Sequence, residues 1–209
     1  MGEARVSFIS ESDYLAGEEL PGLRHEYVQG EIFAMTGASK AHGTIVGNIF
    51  AVIRAHLRGT RCRTWAADMK VHVESAGAYY YPDVVVTCSE RDLAADAPKN
   101  HLEAPQVVVE VLSTSTEKVD RREKWMNYRQ LPSLREYVLV DQERQWAEIF
   151  RRGEEGWLHE IILPGETLPL RSLDLCLNMD DIYEAADVPR TAEKRIADGH
   201  VDCLAQKRA

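Results

Sequence analysis

Over Ser39 to Arg58, the apolar residues Ile45, Val46, Ile49, Val52, Ile53 and Leu57 recur at spacings of three and four, and Gly59 follows as a stop. This pattern predicts an amphipathic helix. His42 stands three and four residues before Ile45 and Val46, on the inner face of that helix near its start. Gln106-Val-Val-Val-Glu-Val-Leu112 is continuously apolar apart from Glu110, the texture of a strand buried on both faces. Glu136 to Val140 reads the same way. A strand at about Ala67 to Glu74, a Ser75-Ala76-Gly77 turn and a strand from Tyr79 to Cys88 complete the central pattern.

Shorter signals fill the rest. Ser10 to Glu19 reads as a helix with Ser10 as N-cap and Asp13 three residues on. Arg24 to Met35 reads as a hairpin turning at Gln29-Gly30. Ser89 to Pro105 is a polar loop with room for one helical turn. Ser113-Thr-Ser-Thr116 caps a helix running to about Gln130, with Thr114 and Glu117 spaced as a capping box, and Pro132 ends it. Gln145 to Arg152 and Trp157 to Leu163 form a hairpin pair around Gly153 and Gly156, and Met179 to Ala186 a short closing helix. The order helix, strand, strand, strand, helix, strand, with a hairpin before it and strands after it, predicts an α/β (α+β) three-layer domain around a mixed sheet over residues 1–186. Residues 187–209 are charged without sustained periodicity and read as a tail, partly helical at most.

Length and composition add bounds. The 209 residues suit one domain with a sizeable core, and 44% hydrophobic with 28% charged residues is ordinary globular usage. No apolar run approaches the roughly 20 residues that cross a bilayer, and Met1 to Ser10 lacks the pattern of a signal peptide, so a cytoplasmic location is expected. The cysteines Cys62, Cys88, Cys176 and Cys203 form no CxxC half-site and are expected to be reduced, with Cys62 and Cys88 acting as small buried hydrophobes. A net charge of -9 argues against bulk, sequence-independent nucleic-acid binding, which depends on neutralising many phosphates. A local basic patch or a metal-filled acidic site would offset it.

The informative feature is charge inside apolar strands. Glu110 interrupts a valine run where a lone carboxylate is costly, and Asp83 opens Val84-Val85-Val86 after Tyr80-Tyr81-Pro82. Two carboxylates at one end of neighbouring buried strands make a hard-oxygen site suited to Mg²⁺ or Mn²⁺; singly, either could just as well pair with a buried cation. A tight turn at residues 75–78 would set Lys70 opposite Asp83, placing Asp68 and Lys70 on its face, although a one-residue slip reverses that. Asp120, Lys124 and Tyr128 are spaced at four and would stack on one helix face. On spacing alone, an ordinary surface pair of Asp120 with Lys124 is the better explanation. Arg54, Arg58, Arg61 and Arg63, then Lys118, Arg121 and Arg122, are the local basic groups that could meet phosphates.

Pro82-Asp83 followed by Glu110-Val111-Leu112 resembles the PD-(D/E)xK signature of the restriction-endonuclease-like nucleases. The ordered set Arg24-His-Glu-Tyr-Val-Gln-Gly-Glu31, Ser39-Lys-Ala-His42, Ala67-Asp-Met-Lys70, Tyr81 to Val86, Val108 to Thr116, Glu123 to Tyr128 and Leu131 to Asp141 resembles one bacterial family within it, the Uma-two family, over about residues 10–186. The resemblance implies a restriction-endonuclease-like αβββαβ core and a Mg²⁺- or Mn²⁺-dependent endonuclease acting on nucleic acid, DNA for preference. Asp83 and Glu110 would hold the metal with the Val111 carbonyl, and Asp68 is a further candidate. The motif lysine position holds Leu112, and the resemblance moves that lysine to Lys124 on the following helix. Glu26 and His42 match residues that recur in the family and are candidates to line the expected site, although His42 could as easily be a satisfied core histidine. A catalytically reduced binding module is the alternative that Leu112 keeps open, and a homodimer is an open possibility for assembly.

Overall fold

The computed structural model describes residues 8–190 apart from Thr36 and Ser115. It is a mixed α+β structure with a restriction-endonuclease-like core. Its elements are α1 (Glu11–Glu18), β1 (His25–Val28), β2 (Glu31–Ala34), α2 (Lys40–His56), β3 (Arg63–Ala66), β4 (Lys70–Val73), β5 (Ala78–Tyr80) and β6 (Val84–Thr87). After these come α3 (Glu90–Leu93), β7 (His101–Leu102), β8 (Val107–Leu112), α4 (Glu117–Val119), a π-helical segment Asp120–Lys124, α5 (Trp125–Tyr128) and β9 (Glu136–Asp141). β10 (Ala147–Arg152), β11 (Trp157–Ile162), β12 (Thr167–Leu170), β13 (Leu175–Asn178) and α6 (Met179–Ile182) finish the described chain.

The central six-stranded sheet has the order β11-β10-β9-β8-β6-β3, with β8 and β9 parallel and the other neighbours antiparallel. Its valine-rich strands alternate faces as a period of two requires. Val84, Val86, Val107, Val109 and Val111 pack on α2 through Ile45, Ile49 and Ile53 in one core. Val85, Val108, Leu112, Tyr137 and Leu139 point the other way, into a second core with Tyr80 and Tyr128. The five-stranded sheet β2-β1-β5-β4-β7 contributes to that second core from beyond. α2, β3, β6, β8, the α4–α5 helix and β9 thus give the αβββαβ order, with the hairpin β1–β2 before it.

Three expectations need correction. The run Tyr79 to Cys88 is not one strand: β5 belongs to the five-stranded sheet and β6 to the six-stranded one. The break falls at Pro82, which has no N–H to give to a ladder. Across the sequence, Ala67, at φ 61, makes the matching exit from β3, so β4 starts at Lys70 rather than Ala67. The pairing expected between these strands also shifts by two residues. A 3₁₀ turn at Glu74–Ala76 and Gly77 at φ 55 set Val71 opposite Tyr80, which puts Lys70 across from Tyr81 and not Asp83.

The cysteines differ as well. The β3–β6 register carries Cys62 opposite Cys88, and a disulfide joins them across a Cα–Cα distance of 4.1 Å. No described cysteine is free. The expected tail lies, from residue 191 on, outside the described residues. No described helix is long and apolar enough to cross a membrane.

Candidate active site

Antiparallel pairing of β6 with β8 sets Val84 opposite Val109, and one step further Asp83 stands opposite Glu110. Opposed residues share a face of the sheet. Asp83 takes the place of a ladder partner: its Oδ2 accepts the Val111 N–H at 2.6 Å. Its Oδ1 lies 2.9 Å from His42 Nε2. Ser39 caps α2 by accepting the His42 N–H and donates its hydroxyl to Gln142, so the turn carrying His42 is tied to the loop after β9. Burial works against the imidazolium of His42, but the Asp83 carboxylate more than offsets this and raises its pKa above 6.5.

Glu110 is 3% exposed and faces the second core. Its Oε1 is met by Lys124 Nζ at 3.3 Å and by the Tyr128 hydroxyl at 3.4 Å. Lys124, 5% exposed, also reaches Glu26 Oε1 at 2.8 Å and Asp120 Oδ1 at 3.2 Å. That Asp120 oxygen is buried outside hydrogen-bond geometry, so its contact with the ammonium is coulombic. Glu26 in turn accepts the Tyr81 N–H at 3.1 Å, directly before Pro82-Asp83. The Tyr80 ring lies 5.6 Å from the lysine ammonium, and its hydroxyl is held by Asn127 and Glu123.

The helix that delivers Lys124 is not a plain α-helix. A spacing of four suggested a continuous α-helical face, yet residues 120–124 form a π-helical segment in which Asp120 and Lys124 are the buried members. A π-segment widens the turn, and such segments concentrate at functional sites. The cap differs too: the Ser113 hydroxyl accepts the Thr116 N–H, in place of the expected Thr114–Glu117 box.

The electrostatics of the cluster are unbalanced. Burial, with Asp120, Asp83 and Glu26 nearby, pushes the Glu110 pKa well above the usual carboxylate value, and Lys124 only partly opposes this. Burial disfavours the Lys124 ammonium, but Glu110, Glu26 and Asp120 together hold its pKa well above 10.5. Three carboxylates, Glu110, Glu26 and Asp120, thus converge on one lysine, with Asp83 beside Glu110 and His42 at the edge. That is a hard-oxygen donor set with negative charge to spare, which fits a divalent cation.

The structure therefore brings together Asp83, Glu110, Lys124, Asp120, Tyr128, Glu26 and His42. Lys70 and Asp68 go elsewhere: Lys70 donates to the Tyr81 hydroxyl at 3.3 Å, and Asp68, its side chain 82% exposed, faces Arg24 at 3.9 Å. Both line an open cleft of about 510 Å³ beside Glu18. Arg121 is engaged by Glu117 and Glu148, while Arg122 is exposed. Sequence reasoning missed Tyr80 and the Ser39–Gln142 tie. Tyr80 could have been found from strand alternation, since it shares the face of the second core.

The family model for Uma2, described as "Putative restriction endonuclease", matches residues 11–180. An uncharacterized protein of Synechocystis sp. is 35% identical over 176 residues, covering 84% of this chain and 91% of that protein. A second from the same organism is 30% identical over 156 residues, covering 74% and 88%. Among solved structures, a "putative nuclease belonging to DUF820" from Anabaena variabilis superposes with a TM-score of 0.69 at 19% identity, over 85% of this chain and 99% of that one.

Proposed function

This chain belongs to the Uma2 family, and from that premise we propose that it is a metal-dependent endonuclease of the PD-(D/E)xK type that hydrolyses phosphodiester bonds in DNA. The observation that carries the reading is the Lys124 ammonium, 3.3 Å from Glu110, in a chain whose motif lysine position is Leu112. Asp83 and Glu110, with the Val111 carbonyl, would hold Mg²⁺ or Mn²⁺. Bound there, the ion would lower the pKa of a water and offset charge on the phosphate.

The protein's own groups do the rest. His42 and the Val111 N–H fix the Asp83 carboxylate, so it need not reorient on binding. Lys124 keeps a permanent positive charge beside Glu110, suited to holding the attacking water or a phosphate oxygen in the transition state. Glu26 and Asp120 maintain that charge and aim it. Arg122 is the exposed basic group nearest in sequence to Lys124 and is our candidate for backbone contact. We assign the nuclease domain to residues 1–186 and a cytoplasmic setting to the protein.

One observation favours a second reading, a binding module on a nuclease fold. Leu112 is buried in the second core, so the motif position itself offers no cation. Plasmid cleavage with Mg²⁺ or Mn²⁺, wild type beside Asp83→Ala, separates the two. Nicking by the wild type alone supports the enzyme; DNA retention without nicking by either supports the module.

A further inference from the structure

A second group of metal-ligating side chains lies on the other face of the five-stranded sheet. Parallel pairing of β4 with β7 sets Lys70 beside His101, so His72 on one strand and His101 and Glu103 on the other project to a common face. One ligand atom from each of His72, His101 and Glu103 falls within 4.8 Å of the other two. His101 Nε2 is 3.9 Å from Glu103 Oε1. Glu11, in the first turn of α1, brings its Oε1 to 3.8 Å from His72 Nε2. Tyr79 marks the separation from the catalytic cluster. Its ring stacks on His72 at 4.2 Å, while the next residue, Tyr80, points through the sheet towards Lys124.

We propose that His72, His101 and Glu103, joined by Glu11 from beside His72, form a structural site for a zinc-class dication that ties α1 and the edge strand β7 to β4. The donor set separates it from the catalytic site. Two imidazoles with carboxylates suit zinc and its transition-metal neighbours, whereas Mg²⁺ prefers oxygen alone. Zinc ligands at about 2.0–2.1 Å stand roughly 3.4 Å apart in a tetrahedron, so small side-chain movements close the site.

The surrounding contacts are those an oriented ligand set needs. His101 Nδ1 is 3.0 Å from Asn100 Oδ1, which makes that nitrogen the donor and leaves Nε2 its lone pair. Arg91 holds the far oxygen of Glu103 at 2.6 Å, and Asp92 accepts the Glu103 N–H at 2.8 Å. The Tyr79 hydroxyl donates to Glu11 at 2.5 Å. Glu11, 3.8 Å from His72 but outside the group of three, would swing in as the fourth ligand that closes a structural site. The edge strand it would anchor is only His101–Leu102.

The test is calorimetric titration of the full, untagged chain with Zn²⁺ in excess Mg²⁺, which occupies hard-oxygen sites. We expect one Zn²⁺ per chain, bound more tightly than about 1 µM. His101→Gln and Glu103→Gln should each weaken it at least about tenfold, and Asp83→Asn should leave it unchanged. Co²⁺ in place of Zn²⁺ should give the visible absorption of a tetrahedral centre in wild type, a readout that needs no variant to fold. Equal binding by wild type and both glutamine variants would overturn the proposal. So would loss of binding in Asp83→Asn, which would place the ion at the catalytic acids, or absence of stoichiometric binding in wild type.

Discussion

The shortest contact of the Lys124 ammonium is with Glu26, at 2.8 Å, rather than with Glu110 at 3.3 Å. Glu26 lies on the N-terminal hairpin and Lys124 on the π-segment before β9, so one ion pair ties two distant parts of the chain. Glu26 also accepts the N–H of Tyr81, the residue from which the chain crosses between sheets to reach Asp83. It is thus a positioning residue for both the lysine and the aspartate. Glu26→Gln keeps an acceptor for Tyr81 but loses the charge. We expect a large fall in kcat with little change in Mg²⁺ affinity, measured by cleavage rates across a metal titration; unchanged kcat would deny Glu26 this role.

Lys124→Met should both abolish cleavage and destabilise the metal-free protein. Two of its three carboxylate partners, Glu110 and Asp120, are buried and Glu26 is partly so; removing the one cation leaves uncompensated charge, at a cost of about 3–5 kcal/mol. Urea midpoints in chelator measure this. Adding Glu110→Gln should recover part of the loss, because the two changes act on one network. Lys118→Ala, at an exposed position in α4, is the control and should at most weaken DNA binding in a salt-dependent way.

Mg²⁺ or Mn²⁺ should raise the melting temperature of wild type, since a cation that binds the folded state relieves the repulsion around Glu110. Asp83→Asn should lose most of that response. An equal rise in both proteins would mean non-specific ion effects.

Much of this site was legible in the sequence because isolated charge in a valine run has few explanations. Glu110 and Asp83 stood out for that reason, and β6–β8 pairing sets them opposite each other. The surroundings were harder, because strand register decides them. The turn at residues 74–77 is one of several that the same residues could adopt, and a shift of two sent Lys70 to Tyr81. The Pro82 crossover changed sheets, which no period of two reveals. The disulfide was hidden for a related reason: Cys62 and Cys88 are far apart in sequence and meet only through the β3–β6 register.

Acid should weaken the protein partly through Glu148. Burial opposes its charge, but Arg121, Trp146 and His159 hold its carboxyl below the usual 4.5. A depressed carboxyl contributes stability that is present above pH 4.5 and lost as pH falls through the folded-state value. Glu148→Gln should therefore be less stable than wild type at pH 7, and the gap should narrow below pH 4.5. Urea midpoints at a series of pH values decide it; a gap constant across pH would mean that packing, not charge, is lost.

The sharpest prediction restores the motif. Leu112 is two residues after Glu110 on β8, so both side chains face the second core, and an ammonium placed at 112 could approach Glu110. In wild type that carboxylate already has Lys124, so Leu112→Lys alone buries a second cation beside the first. It should cost several kcal/mol, on the order of a buried unpaired charge, and should not raise cleavage. In the background of Lys124→Met the same change should behave differently. The new lysine then supplies the missing charge, so the double variant should be more stable than the sum of its parts and recover some cleavage over Lys124→Met. Cleavage rates and urea midpoints for the four proteins form a complete cycle. If the double variant gains neither activity nor stability, a cation near Glu110 is not what catalysis needs, and Lys124 serves the fold alone.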